Sequence, residues 1–266
     1  MVDILVGVMR HEPYIGITGF MTREEVETVM GAIPSNASRK FMVGVLASPK
    51  TIYGNGNKWT GRYPMGNDIS GIFTDDPRAF NLIHYGDGLK SSEGLGEALM
   101  MIASDIAGPN LHGFQLNMAW PEAGEIAKFK EKFPEMQIVL QAGRWTLKDS
   151  TETALELVKR FRAAYLNGEV DYLILDISGG LGIELFPGLM VKNMKAIKAA
   201  ALDIGITVAG GLHKGNLDLL DPILEICPDA SVDAEGALRM GPDDHLVLSE
   251  AIGYTKGAYK KCEHLS

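Results

Sequence analysis

Residues Leu173 to Gly188 read LILDISGGLGIELFPG: three apolar residues, an acid at Asp176, and then a glycine-rich bend. So short an apolar run, closed by one carboxylate and followed by residues that loosen the backbone, reads as a buried strand surfacing at a functional rim. A carboxylate beside a buried run must be paired, hydrogen-bonded or raised in pKa. A raised pKa suits a general acid, whereas a carboxylate that only accepts backbone N–H groups of the SGG turn would be a structural cap.

The same unit recurs outward in both directions. Short apolar runs at Tyr14 to Gly19, Phe41 to Leu46, Phe80 to Tyr85, Gly113 to Asn117, Gln137 to Gln141, Tyr172 to Asp176, Ile206 to Ala209 and Ala230 to Asp233 alternate with segments of helical period. Thr22-Arg23-Glu24-Glu25 is a T-x-x-E capping box ahead of Val26, Val29, Met30 and Ile33. Pro121 suits a first helical position, and Ser150 or Thr151 can cap a helix that runs to about Leu166 and ends at Asn167-Gly168. Further helices are expected from Leu189 to Asp203 and from about Asp243 towards Lys261. Eight strand-helix units in 266 residues, with no linker rich in Pro, Ser or charge, predict one domain over residues 1–266: an α/β chain folded as a single (β/α)8 TIM barrel. An open doubly wound sheet usually has fewer strands and a G-x-G-x-x-G turn after the first, and Gly16 and Gly19 do not give that spacing. The irregular insert is Ser48 to Gly71, whose Gly and Asn content argues for a long functional loop after strand two rather than a helix.

Bulk composition narrows the function classes. A formal charge of -9 without Lys or Arg clusters argues against nucleic acid as a partner, and 46% hydrophobic residues with no long apolar run argue against a membrane one. Cys227 and Cys262 lie outside any CxxC spacing, as structural or incidental thiols of a cytoplasmic protein would. The opening MVDILVGVM carries Asp3 and lacks the basic start and cleavage site of a signal peptide.

Catalytic groups of such barrels stand at the carboxyl ends of the strands. Here those ends give Thr18, Leu46 with Lys50 just beyond, His84, Asn117, Gln141, Asp176, Ala209 and Asp233, a set that is polar where a core should be apolar. A lone His such as His84 serves as a hydrogen-bonded structural residue or as an acid-base group. VAGGLHKGN at Val208 to Asn216 and VDAEGALRMG at Val232 to Gly241 place glycines directly after the last two strands, where bare backbone amides can cradle a phosphate. No H-x-x-x-H, no strand-end Lys for a Schiff base and no G-x-S-x-G elbow is present, so no metal or cofactor is expected.

Taken in order, these pieces resemble the phosphoribosylanthranilate isomerase family, (β/α)8 enzymes of tryptophan biosynthesis with a phosphate-binding barrel. Ile17-Thr18-Gly19 through Thr22-Arg23 is similar to the family's K-I-C-G-I-T-R, Ser48-Pro49-Lys50 to its S-P-R, and Phe114-Gln115-Leu116-Asn117 to its V-Q-L-H-G. Leu175-Asp176 with Ser178-Gly179-Gly180-Leu181-Gly182 resembles L-D followed by G-G-x-G, Ala209-Gly210-Gly211-Leu212 the G-G-L turn, and Val232 to Gly236 the V-D-V-S-S-G. The resemblance implies an aldose-ketose isomerase in which Asp176 is the acid, while Thr18 stands where the family has a Cys base and Lys50 where it has an Arg against an anthranilate carboxylate. A threonine hydroxyl needs an activating partner to act as a base, and Lys cannot copy a bidentate fork.

The expected catalytic residues are therefore Asp176, Thr18 and His84, with Lys50, Gln115, Asn117, Gln141 and Asp233 on the substrate and Gly179, Gly180, Gly210, Gly211, Glu235 and Gly236 around a phosphate. The expected ligand is a small phosphorylated sugar or sugar-amine; self-association into a homo-oligomer is compatible with the sequence. Two alternatives stand beside this isomerase. One is a non-catalytic barrel that binds a phosphometabolite, and the other is a true phosphoribosylanthranilate isomerase with its base relocated to His84.

Overall fold

The computed structural model of the chain describes residues 11–86, 92–143, 154–165, 168–176 and 184–263. Eight parallel strands, β1 (Tyr14–Thr18), β2 (Lys40–Ala47), β3 (Ala79–Tyr85), β4 (Gly113–Leu116), β5 (Gln137–Gly143), β6 (Tyr172–Asp176), β7 (Gly205–Ala209) and β8 (Ser231–Ala234), pair in sequence order, and β8 returns to β1. The closing register is Ile15 with Val232 and Gly16 with Asp233. This is a closed (β/α)8 barrel, as the alternation of the sequence predicts. β6 has the expected ends, and the other strands differ from expectation by one or two residues.

Strand residues alternate between two buried environments, which is why the strands read as continuous apolar runs. Tyr14, Met42, Leu82, Val139, Tyr172 and Ile174 fill the barrel interior, and Ile15, Val43, Ile83, Phe114, Leu173 and Val232 pack outward in a separate core. The interior turns polar towards the carboxyl ends: Thr18, His84, Gln115, Gln141, Asp176 and Asp233 are all buried there.

The described helices are α1 (Arg23–Met30), α2 (Pro49–Ile52), α3 (Gly66–Ile72), α4 (Leu95–Met101), α5 (Ala123–Lys132), α6 (Ala154–Ala164), α7 (Pro187–Ala199), α8 (Asp221–Leu224) and α9 (Leu248–Glu263). The capping box forms as read: Thr22 accepts from the Glu25 amide, and the Glu25 carboxylate accepts from the amides of Thr22 and Met21.

Other boundaries need correction. Pro121 is not at a first helical position, because its carbonyl is taken by the Tyr165 hydroxyl and the helix begins at Ala123. α7 starts at Pro187 and ends at Ala199, two residues before Ala201 turns into the left-handed region at φ 50°. The last helix begins at Leu248 rather than Asp243, since a hairpin of β9 (Arg239–Met240) and β10 (His245–Leu246) occupies that stretch. The insert after β2 is not wholly irregular: Ser48 caps α2 with Pro49 at its start, and α3 follows after a loop. The proposed cap at Ser150 or Thr151 and the helix end at Leu166 and Asn167 fall outside the described residues. Among the described residues, no helix is long and apolar enough to cross a membrane.

Candidate functional site

The carboxyl ends of β1, β3 and β8 bring three side chains into contact. Thr18 Oγ1 lies 3.2 Å from His84 Nδ1 and 3.5 Å from Nε2, and it donates towards Asp233, whose oxygens stand 3.1 and 3.3 Å away. Two inward glycines make the room. A Cβ on Gly44 of β2 would come within 2.9 Å of Thr18 Oγ1 and 3.0 Å of His84 Nε2, and one on Gly16 of β1 within 2.9 Å of Asp233 Oδ1.

Across the mouth, Asp176 ends β6 and accepts a 2.7 Å hydrogen bond from Gln141 Nε2 on β5. The Gln141 carbonyl is held in turn by the Trp120 indole N–H at 2.8 Å. Asp176 is therefore positioned by a neighbouring strand's amide as well as by its own backbone. Gln115 donates to Asn117 at 3.0 Å, and its own carbonyl oxygen is buried with no partner among the described residues.

The electrostatics follow from burial and from crowded acids. Burial pushes Asp233 well above the usual carboxylate range, helped by the charges of Glu235 and Asp176 and opposed by the Thr18 hydroxyl. Burial raises Glu235 too, against the lowering pull of Arg62 and Arg239. Burial alone lowers His84 to about 3, so its imidazole is neutral at ordinary pH and carries a single ring hydrogen. Such a cluster can accept, hold and return protons.

The segment after β2 reaches over this mouth. Arg62 contacts Glu235 at 2.9 Å and Asp244 at 3.0 Å, the Gly61 amide donates to the Asp243 carbonyl, and the Arg62 guanidinium lies 5.2 Å from the Trp59 ring centre. Arg239 donates to the carbonyls of Thr18 and Gly19 and, through its other nitrogen, to that of Asp244. These two guanidiniums stitch the loop, the hairpin and the end of β1 together.

Thr18, His84 and Asp233 thus form one group and Gln141 with Asp176 another, while Gln115 and Asn117 pair beside His84 on the next strand. Lys50 is exposed on α2. Gly210 and Gly211 leave β7 with φ of 139° and 55°, and Gly236 opens a single 3-10 turn after β8. Glu235 turns its carboxylate to Arg62, so what it can offer an anion is backbone. Gly179 and Gly180 lie outside the described residues. Sequence reasoning missed Arg239 and Asp244; the only signal was an Arg within GALRMG, two of whose partners, the carbonyls of Thr18 and Gly19, are more than 200 residues away at the end of β1. A cavity of about 580 Å³ lined by Lys40, Phe80, His112 and Tyr172 opens at the opposite, amino-terminal end of the strands, away from this cluster.

No family model matches the chain, and no curated protein does. Among solved structures, the chain is similar to phosphoribosyl anthranilate isomerase from Thermotoga maritima, with a TM-score of 0.62 and 16% identity over 92% of this chain and 98% of that one. It is also similar to the carboxyl transferase domain of Rhizobium etli pyruvate carboxylase, solved as the Y628A variant with pyruvate, with a TM-score of 0.55 and 10% identity over 97% of this chain and 49% of that one. At such identities the likeness is one of fold.

Proposed function

We propose that this chain is an isomerase of the aldose-ketose type, acting on a small phosphorylated sugar or sugar-amine at the carboxyl end of the barrel. The observation that carries the reading is the hydrogen-bonded acid-base set of Thr18, His84, Gln141, Asp176 and Asp233, drawn from five strands to the end where barrels do chemistry. Aldose-ketose interconversion needs one group to serve the sugar oxygens and another to move a proton between adjacent carbons. Asp176, held by Gln141, is the acid-base group for oxygen, and Thr18 occupies the base position on the facing side. The glycines after β7 and β8, with Gly211 in the left-handed region, supply backbone amides for a phosphate. The unpartnered Gln115 oxygen is an acceptor for a sugar hydroxyl. The likeness to a phosphoribosyl anthranilate isomerase over nearly the full length of both chains supports the barrel fold on which this reading is built.

The test is a turnover screen across pentose and hexose phosphates and phosphoribosylanthranilate, with thermal melts in ribose 5-phosphate and inorganic phosphate. We expect phosphate compounds to raise the Tm and Asp176→Asn to lower kcat about 100-fold or more. No Tm shift together with an Asp176→Asn variant as active as the parent would sink the proposal. A second reading, a barrel that binds a phosphometabolite without turnover, is favoured by one observation: Thr18 carries a hydroxyl where a base is needed. Ligand-raised Tm with no product from any compound would select it.

A further inference from the structure

We propose that Asp233, Thr18 and His84 act as one proton relay, in which the Thr18 hydroxyl takes the substrate's carbon-bound proton while passing its own to the Asp233 carboxylate. The third member, His84, packs its ring against that oxygen and leaves the hydroxyl hydrogen to Asp233, the carboxylate 3.1 Å away. The inference rests on the isomerase reading and gives it the base that a threonine alone cannot supply.

The geometry argues for a chain with one direction. Thr18 Oγ1 has a single hydrogen and two buried neighbours, an imidazole at 3.2 Å and a carboxylate at 3.1 Å. The two ring nitrogens of His84 stand 3.2 and 3.5 Å from Oγ1, so the oxygen faces the ring between them and lies on neither N–H axis. The threonine hydrogen is left for Asp233, the carboxylate to which Oγ1 donates. All three side chains are at most 4% exposed, so water does not compete for these bonds. Gly16 and Gly44 are shaped to this arrangement, since a methyl group at either would press on Asp233 or on the Thr18-His84 contact.

The proton count closes. The C2–H bond of the aldose breaks, and its electron pair forms the C1–C2 double bond of an enediol as the C1 oxygen takes a proton from Asp176. The departing proton bonds to Thr18 Oγ1, and the proton that Thr18 carried bonds to Asp233. Running the relay backwards delivers a proton to C1, the C2 hydroxyl returns one to Asp176, and the enzyme is restored with a ketose as product. A free threonine alkoxide never forms, because the negative charge passes from Asp233 to Asp176 as the protons move, and Asp233 is a stronger base than an exposed carboxylate in this buried, acid-rich corner.

Two measurements test the relay. Long-range 1H–15N spectra of histidine-labelled protein, assigned with His84→Gln, should show a neutral His84 at pH 7.5, and Thr18→Val should shift its ring nitrogens. A His84 that is protonated at pH 7.5, or a His84 signal unmoved by Thr18→Val, would overturn the relay whether or not any substrate is known. The second measurement follows deuterium entry into ribose 5-phosphate and ribulose 5-phosphate in D2O. Thr18→Val and Asp233→Asn should each slow it about 100-fold or more with KM within about twofold, and Thr18→Ser should recover most of the loss. Exchange that survives Thr18→Val removes the relay and leaves the isomerase standing. Spectra as expected, with neither exchange nor turnover on any sugar phosphate by the wild-type protein, remove the isomerase and the relay with it, and leave the Thr18–Asp233 contact as a structural one.

Discussion

Gly19 leaves β1 at φ 97°, and the space a side chain would need is filled: an added Cβ would sit 1.7 Å from Arg239 Nη2. The same nitrogen donates to the carbonyls of Thr18 and Gly19, so the residue after the candidate base is fixed by a guanidinium from the far end of the chain. Gly19→Ala is expected to cost on the order of 1–3 kcal/mol from backbone strain alone. It should cost more where Arg239 cannot move, and a urea titration in which the midpoint stays put would refute the packing argument. His84 gives a second expectation, set by proton linkage. Folded, it titrates at about 3, and unfolded near 6.5, so between those values the unfolded chain binds the additional proton and stability falls as pH falls. The raised Asp233 and Glu235 work the other way, since a folded state that holds protons longer loses their contribution as pH climbs above the ordinary carboxylate range. His84→Gln removes only the first effect. Melting curves from pH 7 to pH 4 should therefore show the wild-type Tm dropping more than that of the variant; parallel slopes would mean His84 titrates normally.

The segment between β2 and β3 packs against the rim of the mouth. It is tied down at Arg62, which spans Glu235 after β8 and Asp244 in the hairpin, all three side chains being largely buried. Removing one partner of such a pair leaves an uncompensated charge, so Arg62→Met should destabilise by about 1–3 kcal/mol, and a double-mutant cycle with Glu235→Gln should recover a coupling energy of similar size. Additive effects would mean that the contact does not hold the segment. At this scale the sequence is legible where the signal is local. Thr22 and Glu25 specify α1 within four residues, and Ser48-Pro49 is a sound start for α2 that the surrounding Gly and Asn obscure. The start of the last helix is illegible for a different reason. Asp243 looks like a cap, but Gly241 and Asp244 both take positive φ to close the β9–β10 turn, a choice stabilised by Arg239 and Arg62 contacts that only the fold brings together.

The closed barrel as a whole was legible because eight apolar runs, each buried on both faces, alternate with helical segments in the number and rhythm of such a barrel. Strand ends followed from the same rhythm, and with them Thr18, His84, Gln141, Asp176 and Asp233 as mouth residues. What the rhythm cannot contain is which of them touch, because barrel stagger, not sequence distance, sets Thr18 against Asp233 215 residues away. The seam between β1 and β8 is where this long-range order is tested. Tyr14 N–H donates at 3.0 Å to Ser231 Oγ across 217 residues, and the Tyr14 hydroxyl accepts from Thr207 on β7, so one residue of β1 links both final strands. Ser231→Ala leaves that buried amide without its acceptor, a loss of about 1–3 kcal/mol. The seam joins the first strand to the last, so a weakened seam should loosen the barrel as a unit. Near-ultraviolet and far-ultraviolet circular dichroism should follow one transition at a lower urea midpoint, with the slope unchanged. An unmoved midpoint would show that water or a neighbouring group replaces the serine. Two separated transitions would show that the final strands detach while the rest stays folded, and that the closing pair is not what holds the mouth in register.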